Sequence, residues 1–545
     1  MISRLLVVLL LVFESHGLEE DPEVDTPLGK LSGHWLESRS GRRYMAFSGI
    51  PYAKPPVGKL RFQPPEAVGK WKGVRDAKKN GPYCLQYDSF LPRKNPVLGE
   101  EDCLYLNVYT HNISRRAPVL VFIHGGAFFM GNGDMVKPTF LMDEEVVIVN
   151  VNYRLGIMGF LSFETKEMPG NMGLKDQSMA LRWVKENIGS FGGDPDKVTI
   201  LGPSAGGASI YHHFISPLSK GLFHRGLSSS GSSYNPWALS PPGLARSNAE
   251  KLMALIGCPT EPKEAMPCLM DKDPKEVVKH FPKFFVFQNM DPMLSFSPVM
   301  EKPAPGAFIV APTKKWKHHP VPLLMILSSA EGAMRIGALS HGIEEFSRDF
   351  EKIAPYSLTY FASASEPDKV TKKVKEFYFP GKTEITMEDY VNITHMFSDS
   401  WFNHGIIKGS NEHQGDTYFL YFDYIIKSPF MDEKYVVGAN HCSDLTFIWE
   451  LDYAGLPMPE LNEKEVALSE DMVRMVYDFM ETGIPTIPQS NKKWKKWTSK
   501  ENNYVKIDDK GSHLKKGLLR ERFNFWDNLQ HRDKFDKQKV DRDEL

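Results

Sequence analysis

Val198-Thr-Ile-Leu201-Gly202-Pro203-Ser204-Ala205-Gly206-Gly207-Ala-Ser-Ile-Tyr-His-His-Phe214 joins a short apolar run to a helix-like one through G-x-S-x-G. The run before the motif reads as a buried strand and the run after it as a helix. The spacing has a steric cause. A turn that tight leaves no room for side chains two residues before and after the serine, so Gly202 and Gly206 are required there. Ser204 is then lifted above the end of the strand, over a helix N-terminus whose backbone N–H groups carry partial positive charge. That arrangement is a nucleophile's, and it places the chain in the α/β class.

Outward from the motif, Val119-Leu-Val-Phe-Ile123, Val146-Val-Ile-Val-Asn-Val151 and Pro322-Leu-Leu-Met-Ile-Leu327 are further short apolar runs. Near-continuous apolar strands are buried on both faces, which implies a mostly parallel sheet flanked by helices. Leu174, Met179, Leu181, Trp183, Val184 and Ile188 fall at helical spacing and predict a crossover helix before Val198. The 545 residues contain 41% apolar and 25% charged residues, ordinary for a globular chain. Lys plus Arg is 66 and Asp plus Glu is 68, and 66 − 68 = −2. A near-neutral balance argues against a nucleic-acid partner, which needs clustered cations. One domain with large insertions is expected over residues 18–541.

His124-Gly125-Gly126-Ala127 follows the run ending at Ile123. A carbonyl attacked by serine gathers negative charge on its oxygen, and backbone N–H groups on a loop of small residues can approach it closely. A glycine turn ending a strand is the plain alternative. The serine elbow further along favours the catalytic reading.

Further motifs then fall in order: Gly49-Ile-Pro-Tyr-Ala-Lys-Pro-Pro-Val-Gly58, Leu60-Arg-Phe62, Glu101-Asp-Cys-Leu-Tyr-Leu-Asn-Val108, Asn152-Tyr-Arg-Leu-Gly156 and Gly170-Asn-Met-Gly-Leu-Lys-Asp-Gln177. With these the chain resembles the type-B carboxylesterase/lipase family, the cholinesterase-like α/β-hydrolases, from Leu28 to about Phe525. Its look is that of insect-type carboxylesterases and juvenile hormone esterase-like proteins. Composition cannot choose an acid and a base among many Glu and 17 His. The resemblance implies Glu331, in Ser328-Ser-Ala-Glu331-Gly332, and His441, in Gly438-Ala-Asn-His441-Cys-Ser-Asp444, as partners of Ser204. It also implies an oxyanion hole from Gly125, Gly126, Ala127 and Ala205, with no cofactor and a small-molecule ester as substrate. Arg61 with Glu101 and Arg154 with Asp176 are expected as structural ion pairs.

Pro203 stands where many relatives carry glutamate and juvenile hormone esterases typically glutamine. It removes a carboxylate beside the nucleophile. No tryptophan lies between Cys84 and Cys103, although a quaternary ammonium needs such an aromatic face, so acetylcholine is rejected as substrate. Phe281-Pro-Lys-Phe-Phe-Val-Phe287 and Leu294-Ser-Phe-Ser-Pro298 lie where the family builds its acyl pocket, and imply uncharged acyl groups.

The chain carries five cysteines. Two bridges and one leftover is the simplest arithmetic, with three pairings open to four cysteines and Cys442 as the odd one. The resemblance implies Cys84–Cys103 and Cys258–Cys268. Asn112-Ile-Ser114 and Asn392-Ile-Thr394 are glycosylation sequons. Residues 1–17, with Arg4 and the apolar run Leu5–Phe13, fit a signal peptide, and Arg542-Asp-Glu-Leu545 fits an endoplasmic-reticulum retrieval tail. Residence in that lumen, with a retrieval receptor as partner and no membrane anchor, is expected; secretion is the alternative.

Two other readings use the same residues: a catalytically silent binding protein similar to neuroligins, and an amidase or thioesterase sharing the triad. A metal hydrolase is disfavoured, because there is no H-E-x-x-H and His212-His213 and His318-His319 are adjacent pairs. Gly131-Asn-Gly133 lacks the third glycine of a dinucleotide loop.

Overall fold

The apolar runs become strands with no solvent-facing side. In this computed structural model, Ala117–Ile123, Val147–Val151 and Leu323–Ser328 are buried at every position. The structure describes residues 20–89, 93–293, 295–427, 433–452 and 459–537. The expected leader at 1–17, the tail at 542–545 and Leu294 of the aromatic segment lie outside the described residues.

Among the described residues eleven strands form the main sheet: β1 (His34–Glu37), β2 (Arg43–Pro51), β3 (Tyr105–Thr110), β4 (Ala117–Ile123), β5 (Val147–Val151), β6 (Gly193–Pro203), β7 (Arg225–Ser229), β8 (Leu323–Ser328), β9 (Thr417–Phe422), β10 (Asn503–Asp508) and β11 (Gly511–Lys516). Their order is β11-β10-β9-β8-β7-β6-β4-β5-β3-β2-β1. All pairings from β10 through to β5 are parallel. The pairings at both ends are antiparallel. The edge strand β11 ends on exposed Lys515 and Lys516, charges that discourage pairing with another chain.

Alternation along each strand sorts the core into two layers. Val119, Val121 and Ile123 of β4 join one layer with Val198 and Ile200 of β6, while Leu120, Phe122 and Leu201 join the other. The first layer is covered by α1 (Met172–Asn187), α2 (Ala205–Ile215), α3 (Tyr390–Ser398) and α4 (His404–Glu412). The second is covered by α5 (Glu463–Thr482), through Leu468, Met472, Val476 and Phe479. Each such side chain removed from water contributes about 1.5–3 kcal/mol. The crossover helix expected from Leu174 to Ile188 is α1. Strand β6 is longer than the Val198–Leu201 expectation and ends on Pro203.

Among the described residues no helix is long and apolar enough to cross a membrane.

Candidate active site

Strand β6 outruns its neighbour on one side. Its register with β4 stops at Leu201 opposite Phe122, whereas with β7 it continues to Pro203 opposite Ser229. Pro203 therefore ends the strand, where a missing N–H breaks little of the ladder. The chain then turns sharply at Ser204, with φ 54° and ψ −120°. The Ser204 N–H donates to Ser229 O at 2.8 Å, and Ala205 opens α2. A Cβ on Gly206 would sit 2.0 Å from the Ile123 carbonyl oxygen, so the steric reason for that glycine is met in the structure. Ser204 is partly exposed between buried neighbours.

Glu331 begins a short 3₁₀ helix, Glu331–Arg335, just past the end of β8. Its side chain is fully buried, yet every oxygen accepts a hydrogen bond. Oε1 accepts from Ser328 N–H at 2.9 Å and from the Ser230 hydroxyl at 2.5 Å, and Oε2 accepts from His441 Nδ1 at 2.5 Å. An acceptor-only carboxylate puts the His441 proton on Nδ1 and leaves Nε2 free to take one. Ser230 was not legible in the sequence. The signal is the run Ser228-Ser-Ser-Gly-Ser-Ser233, too polar for a strand end unless its hydroxyls have partners. Among the described residues no hydrogen bond joins the Ser204 hydroxyl to His441. The Glu331–His441 contact is closed, and Ser204 is tied by its backbone N–H to Ser229, the neighbour of Ser230.

The His441 ring is flanked by Phe402, with centroids 4.5 Å apart. Phe402 lies in a π-helical turn, Asp399–Asn403, between α3 and α4. Trp237 packs on Phe402 at 5.8 Å and donates its indole N–H to Trp401 O. Residues 125–127 lie against the elbow: a Cβ on Gly125 would stand 3.2 Å from Ser204 Cβ. Gly126 and Ala127 are partly exposed there, and Ala127 adopts φ 51°.

A model of the carboxylesterase family matches residues 20–526. The chain belongs to the carboxylesterase family. It is 39% identical to venom carboxylesterase-6 of Apis mellifera over 416 residues, 74% of either chain. It is 34% identical to esterase FE4 of Myzus persicae over 86% of each chain, and 32% identical to juvenile hormone esterase of Tribolium castaneum over 93% of each. Membership makes the chain a carboxylic ester hydrolase with an α/β-hydrolase fold.

Disulfides join Cys84 to Cys103 and Cys258 to Cys268, and Cys442 is free. Arg61 meets Glu101 through Nε at 2.5 Å and Nη2 at 2.8 Å. Arg154 meets Asp176 through Nε at 2.8 Å and Nη2 at 2.6 Å, with Asp176 fully buried. Asn112 and Asn392 are both exposed. Of the paired histidines, His212 Nε2 bonds to Ala238 O, His213 lies between Ser219 and Gln177, and His318 contacts His413. His212 and His213 are fully buried, and these contacts are made inside the core.

The aromatic segment does not form one wall. Phe281, Phe284 and Phe285 cluster with Phe296, and Phe281 reaches Phe129, 4.9 Å away, just past the Ala127 loop. The chain then reverses, with Val286 N–H donating to Asp291 O. That leaves Val286 exposed and turns Phe287 away onto Phe346.

Near the Glu331–His441 pair lies a second buried carboxyl, Asp444, in the 3₁₀ turn Ser443–Phe447. Its Oδ1 accepts from Ser229 Oγ at 2.9 Å, and its Oδ2 has no partner. Burial foremost, with the charge of Glu331 adding to it against the Ser229 bond, pushes Asp444 up to about 7. Burial and the charges of Glu331 and Asp444 likewise push the Cys442 thiol well above its usual range. The unfolded chain releases the Asp444 proton near pH 4, while the folded chain holds it to about 7. Stability is therefore lost as pH rises from about 4 to about 7. Asp444→Asn is expected to raise the melting temperature at pH 8 and to change it little at pH 4. An equal shift at both values would show that Asp444 carries no such linkage.

Proposed function

We propose that this chain is a serine carboxylesterase that hydrolyses uncharged carboxylic esters through an acyl-Ser204 intermediate. The observation that carries the reading is the buried Glu331, anchored by Ser230 and Ser328 and bonded to His441 Nδ1. In the first step His441 Nε2 takes the Ser204 proton as Oγ bonds to the ester carbonyl carbon. The charge gathering on the carbonyl oxygen is met by N–H groups of the Gly125-Gly126-Ala127 loop and by Ala205 N–H at the start of α2. The imidazolium, stabilised by Glu331, returns its proton to the departing alcohol as the C–O bond breaks. Water repeats the sequence on the acyl-enzyme, releases the acid and restores Ser204.

The preference for uncharged esters rests on what surrounds these groups. Pro203 puts no carboxylate beside the nucleophile, and the Phe402 ring, backed by Trp237, flanks His441. Exposure to a fluorophosphonate, followed by intact mass of the deglycosylated protein, tests the reading. One adduct on wild type and none on Ser204→Ala is the expected result. No adduct on folded wild type would overturn it and bring the binding-protein reading forward.

A further inference from the structure

His124 precedes the Gly125-Gly126-Ala127 loop and is fully buried, but it has no place in the steps above. Its Nδ1 lies 2.8 Å from Gly125 O, and its Nε2 has no partner. A carbonyl only accepts, so the proton sits on Nδ1 and is donated to Gly125 O. Burial holds the ring far below the usual histidine range, at about 4, so it stays neutral at ordinary pH and keeps this tautomer. The ring is stacked on Tyr153, with centroids 4.3 Å apart, and the Tyr153 hydroxyl donates to His124 O at 2.9 Å. The imidazole cannot swing away from the peptide that it holds.

That peptide matters because of its plane. In a trans peptide the C=O of one residue and the N–H of the next point in opposite directions. Holding Gly125 O on one side therefore aims Gly126 N–H to the other. The next donor is set by backbone alone, since Gly126 O accepts from Phe129 N–H and Met130 N–H, both at 3.0 Å, which fixes Ala127 N–H. Gly125 and Gly126 lack Cβ atoms, so the peptide between them has the freest rotation in the loop. A side chain supplies the restraint that glycine backbone lacks.

Gln86 supports the same place from the Cys84–Cys103 loop. Its Oε1 accepts from Gly131 N–H at 2.7 Å, and its Nε2 donates to Gly131 O at 3.0 Å and to Cys84 O at 2.9 Å. Gly131 lies against the His124–Gly125 bond: a Cβ there would stand 2.6 Å from His124 Nδ1 and 2.7 Å from Gly125 O.

We propose that His124, braced by Gln86 through Gly131, is a positioning residue that locks the Gly125–Gly126 peptide and so presents Gly126 N–H to the developing oxyanion. The proposal rests on the acyl-serine reading. It makes a distinctive demand: loss of the lock weakens transition-state binding and leaves ground-state binding alone.

The test uses the full chain with 4-nitrophenyl butyrate as substrate and an alkyl trifluoromethyl ketone, which forms a tetrahedral adduct, as inhibitor. His124→Phe keeps a flat ring on Tyr153 and removes the donor. Its kcat is expected to fall about 10- to 100-fold, short of the about 100- to 1000-fold for an oxyanion donor removed outright, because the lock is lost and the donor itself remains. Its inhibition constant should rise by the same factor while KM moves little. His124→Asn places an amide N–H near the Nδ1 position and should recover much of kcat. Gln86→Leu should give a smaller loss of the same kind, and serves as the reporter if His124→Phe does not fold. Wild type that labels and turns over, with His124→Phe or Gln86→Leu matching it in kcat and inhibition constant, would overturn this proposal and leave the triad reading standing. So would losses that follow a lowered melting temperature and are not rescued by His124→Asn. Wild type that is not labelled by fluorophosphonate would bring down both.

Discussion

Ser204→Ala is expected to lower turnover of an uncharged ester by about 10⁴- to 10⁶-fold with the melting temperature unchanged. The reason is the division of labour at the elbow. The hydroxyl is the only atom group removed, and the backbone bond from Ser204 N–H to Ser229 O remains. Stability offers a second, independent readout. Ser204 holds φ 54° and ψ −120°, a conformation that side chains resist. Such a residue stores about 1–3 kcal/mol of strain. Alanine keeps that strain and glycine relieves it, so Ser204→Gly should be as inactive as Ser204→Ala and more stable to urea by about 1–2 kcal/mol. Combining Ser204→Ala with His441→Ala should cost no more than either change alone, because the two act as one unit. Residual turnover within tenfold of wild type would exclude Ser204 as nucleophile. Additive losses would exclude a shared step with His441.

Asp291→Asn is expected to destabilise the protein by about 3–5 kcal/mol, read as a shifted midpoint in urea. Asp291 and Arg335 are both fully buried, and Arg335 Nη2 meets Asp291 Oδ2 at 2.8 Å. Arg335 Nη1 also donates to Gln288 Oε1 at 2.6 Å, and the Ser357 hydroxyl donates to Asp291 Oδ2. The guanidinium lies between the rings of Phe287 and Phe397. Asparagine keeps the shape and removes the charge, leaving a cation in the core with no anion. The double change Asp291→Asn with Arg335→Met removes both charges and should recover most of the loss. Arg335 also ends the 3₁₀ helix that Glu331 begins, so the pair ties the acid loop to the segment that follows Phe281. A single variant within about 1 kcal/mol of wild type, or a double variant no better than the single, would show that burial of this pair matters little.

What could be read from the chain was local in origin. The glycines of G-x-S-x-G are demanded by contacts inside one turn, as the 2.0 Å approach of a Gly206 Cβ to Ile123 O shows. The strands β4, β5 and β8 announce themselves because burial on both faces leaves unbroken apolar runs. Glu331 and His441 were named through motif resemblance, since nothing in composition separates them from other carboxylates and histidines.

The sequence by itself determined the α/β architecture through its unbroken apolar runs, and the serine elbow and the small-residue loop beside it through sterics within a few residues. Only the tertiary structure decided that Ser230 anchors Glu331 across 101 residues and that Glu331 meets His441 across 110. It also decided that Phe402 flanks the imidazole, that Asp444 lies near the Glu331–His441 pair, and that Arg335 is spent on Asp291. A phenylalanine or an aspartate carries no mark of such a role in its neighbours along the chain, and the polar run around Ser230 calls for partners without naming Glu331 as one. The role comes from burial together with a partner that folding brings within hydrogen-bond reach, and both are properties of the packed core.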